Sequence, residues 1–238
     1  MQRRLEVGVV IRRVFAIYFD QAPVLMPAAA VVFVFTGVLS TVLTRADPGL
    51  RLVALLISLI ATTLFTGMVV ELVADVRDGR RDSSPSQLLR AVTPVLGRLL
   101  MVAVVAALLV TLGFVLLVVP GLILITVWSL AAPVIVVERP PGLAALGRSR
   151  ELVRGNGWRV FGVILLLDVL VAVIAGAIEA GTETAGAGAG LVATVVVGIL
   201  TAPISALAAA VMYFDLSGAT ASTAERPPQA QADPFGGP

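Results

Sequence analysis

Six stretches of this chain are apolar for about twenty residues at a time, and no other feature restricts its fold so severely. They cover residues 22–44, 50–73, 99–119, 121–137, 158–178 and 191–212. A helix rises 1.5 Å per residue, so about twenty residues cross a hydrocarbon core of roughly 30 Å. The runs show no alternation of apolar and polar positions, which argues against a barrel. In lipid only a helix satisfies its own backbone without neighbours. The expected fold is therefore all-α: a polytopic membrane protein of six transmembrane helices. Hydrophobic residues make up 58% of the 238 and charged residues 13%, a balance that excludes a soluble enzyme and general disorder. Val119-Pro120-Gly121 reads as a tight turn between the third and fourth runs, because 99–137 is too long for one crossing. Pro27 and Pro133 lie inside their runs and are expected to kink or end them.

All 17 basic residues are arginine, and fifteen of them lie on one side of the runs. Arg3, Arg4, Arg12 and Arg13 precede the first run. Arg77, Arg80, Arg81, Arg90 and Arg98 separate the second from the third. Arg139, Arg148, Arg150, Arg154 and Arg159 separate the fourth from the fifth, and Arg226 lies in the tail. Only Arg45 and Arg51 lie on the other side. The positive-inside rule assigns the arginine-rich side, with both termini, to the cytoplasm, so the expected location is the bacterial plasma membrane. No signal peptide is expected, since Arg12 and Arg13 interrupt the necessary apolar stretch. With so few charges in excess, these arginines suit a membrane surface, and no nucleic-acid partner is expected. The tail, 217–238, has no apolar periodicity and is expected to be disordered.

Each arginine-rich segment before an odd-numbered run has the pattern of a short amphipathic helix, over residues 5–19, 85–96 and 143–154. Residues 1–216 thus read as three units, each an interfacial helix followed by a two-span hairpin. These helices are either elbows that position the spans or a collar gripping anionic lipid headgroups.

Chemistry is narrowed by what the composition lacks. Without His, Cys or Lys there is no imidazole base, thiolate nucleophile, zinc–thiolate site, P-loop lysine or Schiff base. Glu179 and Glu183 make a weak metal pair, and Gly186-Ala187-Gly188-Ala189-Gly190 lacks the strand a dinucleotide loop requires. No catalytic residue, cofactor or metal is expected.

From Trp128 the chain reads W-S-L-A-A-P-V-I-V-V-E-R and, further on, A-A-L-G-R-S-R-E-L-V-R-G-N-G-W-R-V-F-G-V. With Pro120-Gly121, Ala132-Pro133-Val134, Val137-Glu138, Ala145-Leu146, Arg148-Ser149 and Gly155, it resembles the bacterial glycerophosphoryl diester phosphodiesterase membrane-domain family over about residues 1–215. The resemblance implies a membrane module only. The phosphodiesterase fused to it in some relatives needs His and metal-binding carboxylates, and no such domain is expected after the sixth span.

Asp168 is the principal candidate, a carboxylate near the middle of the fifth run. Mid-bilayer acids cost about 2.5–3.5 kcal/mol on insertion scales, so Asp168 is expected to face protein or water. It starts a stripe with Ala172, Gly176 and Ala180, matched in the sixth run by Gly198, Ala202, Ala206 and Ala210. The two stripes are expected to pack against each other. Asp168 reads as a structural acid, a coupling group for transport, or a partner contact. Glu138 is expected to pair with Arg148 or Arg150, fixing the third short helix to the bundle. Glu71, Asp75, Asp78 and Asp82, interleaved with Arg77, Arg80 and Arg81, read as a solvated helix extension or an acidic vestibule. Trp158 suits an interfacial anchor and Trp128 a core position. The function expected is a non-enzymatic plasma-membrane scaffold or accessory subunit with lipid contacts and a membrane-protein partner. The alternative is a small transporter or lipid-handling permease using Asp168.

Overall fold

A computed structural model describes residues 6–78, 85–182 and 187–224. Arg3, Arg4, Arg80, Arg81, Asp82, Glu183, Gly186, Arg226 and residues 225–238 lie outside the described residues. Ten helices follow in order: α1 Val7–Asp20, α2 Ala22–Ala46, α3 Arg51–Arg77, α4 Pro85–Val92, α5 Leu96–Leu116, α6 Val118–Trp128, α7 Ala131–Val137, α8 Ala144–Val153, α9 Gly157–Thr182 and α10 Ala187–Ala224. Among the described residues there is no strand. Six segments are long and apolar enough to span a membrane: α2, α3, α5, α6 with α7, α9 and α10.

The hairpin between the third and fourth spans turns earlier than Val119-Pro120-Gly121. Leu117 is extended (φ −161°, ψ 143°), and Pro120 is the third residue of α6. A proline in a first helical turn forfeits only an N–H that has no intrahelical partner there. Gly121 instead allows close approach. A Cβ added there would lie 2.6 Å from the Phe114 ring, and one on Gly113 would lie 3.1 Å from the Gly121 backbone. The fourth span is broken at Ser129-Leu130, between α6 and α7, with Pro133 in the first turn of α7. Pro27 and Pro203 sit inside continuous helices. α10 continues to Ala224, into the segment expected to be disordered. Extending an existing helix costs far less than nucleating one, and that segment holds several alanines, the best helix formers.

The even-numbered spans form the centre, since α3, α7 and α10 touch one another. Each odd-numbered span covers a seam: α2 lies against α3 and α10, α5 against α3 and α6, and α9 against α10 and α6. The short helices lie on the centre as well, α4 on α3, α8 on α6 and α7, and α1 on α10. Their inward positions repeat every four residues: Val10 and Val14, Leu88 and Val92, Ala145 and Ser149 are all buried. Most of the core lies toward the arginine-rich end, in Phe65, Val70, Leu130, Ile135, Leu207 and Met212. Elsewhere the outer faces carry exposed Val31, Phe35, Leu55, Leu108, Leu112, Val115, Leu166 and Val173, an apolar belt suited to lipid.

Candidate functional site

Three places carry polar side chains in this bundle: a set of ion pairs at its arginine-rich end, Asp168 on the outward face of α9, and a hydroxyl-lined groove beside the broken fourth span.

The ion pairs begin where α7 ends. Pro140 bars Arg139 from continuing the helix, and Arg139 turns left-handed, with φ 53°. Its carbonyl accepts from Arg98 Nη1 at 3.2 Å, and its own guanidinium lies 3.9 Å from Glu71 on α3. Glu138 just before it accepts from Arg148 Nε through both oxygens, at 3.2 and 3.0 Å, and from the Tyr213 hydroxyl at 3.1 Å. Arg148 also reaches Glu151 at 3.3 Å. The hydrogen bond to Glu138, ahead of the opposing effect of burial, holds the Arg148 guanidinium above its ordinary pKa. Arg150 is exposed: two residues along a helix is about 200° of rotation, so it points away from Glu138. A second acid, Asp215 near the same end of α10, is hydrogen-bonded to Arg13 on α1. Two of these pairs, Glu138–Arg148 and Asp215–Arg13, thus join an acid at the end of a central span to an arginine of the short helix lying on it.

Neighbouring hydroxyls reinforce both connections. The fully buried Ser149 donates to the Val127 carbonyl at 2.7 Å. Val127 lies in the last turn of α6, where carbonyls lack an intrahelical donor. Tyr18 donates to the Leu200 carbonyl at 3.1 Å, close to Pro203 of α10. Burial raises the Tyr18 pKa, so its phenol keeps the donated proton. No sequence feature assigned these partners to Ser149, Tyr18, Tyr213, Arg13 or Asp215. An acid at the arginine-rich end of every even-numbered span was the available signal for Asp215.

Asp168 is exposed on α9, and so are Ala172, Gly176 and Ala180. A Cβ added at Gly176 would meet nothing within 4 Å. The expected contact of this stripe with the sixth span is therefore corrected. α9 meets the bundle through Val160, Val163 and Leu167, whose side is rotated about 100° from Asp168. The α10 stripe does turn inward, toward the first and second spans. A Cβ on Gly198 would lie 2.6 Å from the Phe33 ring, Ala202 lines a groove with Phe33 and Phe65, and Ala206 and Ala210 are buried. That groove, about 250 Å³, also holds Thr62, Thr66, Ser129 and Ser205 beside the α6–α7 break. Asp168 is not among its lining residues. Trp158 is 86% exposed at the start of α9, and Trp128 is partly buried against the core. No group of three or more acids able to hold a metal occurs among the described residues.

The uncharacterised protein family UPF0259 matches residues 49–187, which is 139 of the 238. A UPF0259 membrane protein of Pectobacterium carotovorum subsp. carotovorum (strain PC1) is 38% identical over 102 residues, covering 42% of this chain and 39% of that protein. The chain thus matches well under half of its relative's length. No solved structure matches. These findings replace the resemblance to the glycerophosphoryl diester phosphodiesterase membrane-domain family, which nothing in them supports. The residues behind that resemblance have architectural roles: Gly121 closes a hairpin, Glu138 and Arg148 pair, Ser149 caps a broken helix, and Gly155 turns at φ 86°. Such residues describe how a bundle is joined. This chain belongs to the UPF0259 family of membrane proteins.

Proposed function

We propose that this protein is a non-enzymatic scaffold or accessory subunit of the bacterial plasma membrane, with its arginine-rich end and both termini in the cytoplasm. In this reading α9 receives a transmembrane helix of a partner protein. The observation that carries it is the outward carboxylate of Asp168, twelfth of the 26 residues of α9. A lipid-facing acid at that depth is unfavourable, and a partner donor removes the cost. The adjoining Ala172, Gly176 and Ala180 let a second backbone come close. The occupant is a different protein carrying a basic or other strong donor at mid-depth, because every arginine of this chain lies near a helix end or outside the spans.

The native chain has no cysteine, which makes the test direct. Crosslinkers attached at Ala172→Cys and at the inward Val163→Cys are compared in native membranes. The expected outcome is an adduct from position 172 to a helix of another protein with a donor near Asp168, lost in Asp168→Leu. Adducts to lipid alone, or to a second copy, would refute the reading. A second reading, a lipid-handling permease, draws on the hydroxyl-bearing groove beside the broken fourth span, since discontinuous helices often border substrate paths. Lipid transfer by reconstituted protein that is lost when Ser205→Leu fills the groove would favour it.

A further inference from the structure

A cavity of about 200 Å³ opens at the arginine-rich end, where α1 lies on α10 and the end of α3 adds a third wall. Its walls are Arg13 and Ile17 from α1, Val73 and Arg77 from α3, and Val211 from α10. Val73 and Val211 are almost fully buried and make an apolar floor. The Arg77 guanidinium lies over the Phe214 ring, 4.7 Å from its centre. Stacking uses the flat face of the group and leaves its N–H edges for another acceptor. Arg13 gives one nitrogen to Asp215 and has further donors on its fork. Asp75 on α3, Asp78 just after it and Arg12 on α1 are the nearest other charges in sequence on these helices.

We infer that this cavity binds the phosphate of an anionic phospholipid headgroup, held between Arg13 and Arg77. Two guanidiniums from different helices can share the oxygens of one phosphate, and such charge-assisted bonds are the strong kind. The apolar floor favours a lipid over a free ion, because a phosphodiester lipid brings an apolar glycerol and chain to cover Ile17, Val73 and Val211. The position is also correct: Arg13 belongs to a short helix beside the spans, and Arg77 is the last residue of α3. Unlike a diffuse basic collar, this site draws on two particular arginines. Because its two arginines come from α1 and α3, a bound phosphate would tie the first short helix to the bundle.

The test is independent of any partner on α9. Full-length protein is placed in phosphatidylcholine nanodiscs containing a minority of phosphatidylglycerol, and retained lipids are counted by native mass spectrometry. The expected result is preferential retention of phosphatidylglycerol, reduced about tenfold in Arg77→Gln, the loss of one charge-assisted contact. Arg150→Gln removes an equal charge from an exposed site and should change retention less than about twofold. Ile17→Phe narrows the cavity with both arginines in place and should also lower retention, so the inference survives any misfolding of Arg77→Gln. Equal loss in Arg77→Gln and Arg150→Gln, or no preference in wild type, would overturn it. Displacement of the lipid by millimolar inorganic phosphate would overturn the lipid assignment in favour of a soluble anion.

Discussion

Along α3 and α10, residues toward the arginine-rich end are closely enclosed: Val69, Val70, Leu72 and Val73 on one, Leu207, Ala208, Val211 and Met212 on the other. Toward the opposite end the same helices bury little, Ala54 on α3 and Ala193 on α10. α5 behaves alike, burying Leu99 and Val102 early and later only Gly113. The difference follows from the solvent. Lipid tails are as apolar as leucine, so apolar contact between spans gains little, and close fit and polar anchors decide where helices meet. The side-chain ion pairs lie at one end, Arg148 on Glu138 and Arg13 on Asp215, while Ser149 and Tyr18 reach the carbonyls of Val127 and Leu200 deeper in their spans. The short helices complete that end, placing amphipathic faces where the bundle meets headgroups and water.

Substitutions matched across the two regions measure this difference, and truncation of the core should show it most strongly. Leu207→Ala, in a fully buried site, is expected to cost about 2–5 kcal/mol in unfolding free energy in detergent. Leu112→Ala, 54% exposed on α5, should stay within about 0.5 kcal/mol. Similar costs at both sites would abolish the distinction. Glycine substitutions come next. Gly121→Val must displace the Phe114 ring and should cost about 1–3 kcal/mol by thermal denaturation. Gly176→Val enters open space and should leave the midpoint unchanged, while weakening any adduct formed from position 172.

Smaller effects sharpen the same contrast. Ser149→Ala leaves the Val127 carbonyl without its hydroxyl donor and should cost about 1 kcal/mol, seen as faster hydrogen exchange around the α6–α7 break. Glu138→Gln weakens the bond to Arg148. Both side chains are about one-third exposed, so solvent screening limits the loss to about 1 kcal/mol, and the loss should be smaller in Arg148→Gln than in wild type. Arg150→Gln, on the exposed side of α8, should lie at the bottom of the series with no measurable change in midpoint.

How much of this was legible depends on whether a position has a polar or conformational signature. Pro133 announced the interruption of the fourth span, and Glu138 announced a partner on α8, although Arg148 and Arg150 looked equivalent as letters. Pro120 was misleading, because a proline can open a helix as readily as it ends one. The stripe on α9 misled for a related reason. Small residues show that a backbone can be approached closely, without showing by which helix. Ser149 stood out only as part of a short motif, with nothing to show its partner: it matters because a broken helix offers it a carbonyl.

The sequence by itself determined the solvent of this protein, its helical class, its six crossings and the gathering of charge at one end. Those properties depend on composition summed over about twenty residues, and no partner alters the sum. Only the tertiary structure decided that α1 closes on α10, that α3, α7 and α10 take the centre, and that Asp168 looks outward. A span surrounded by lipid is apolar on every side, so the periodicity that marks the inner face of a soluble helix is erased. Which side meets protein is then set by the fit of particular side chains, such as Phe33 against Gly198 and Val92 against Gly67.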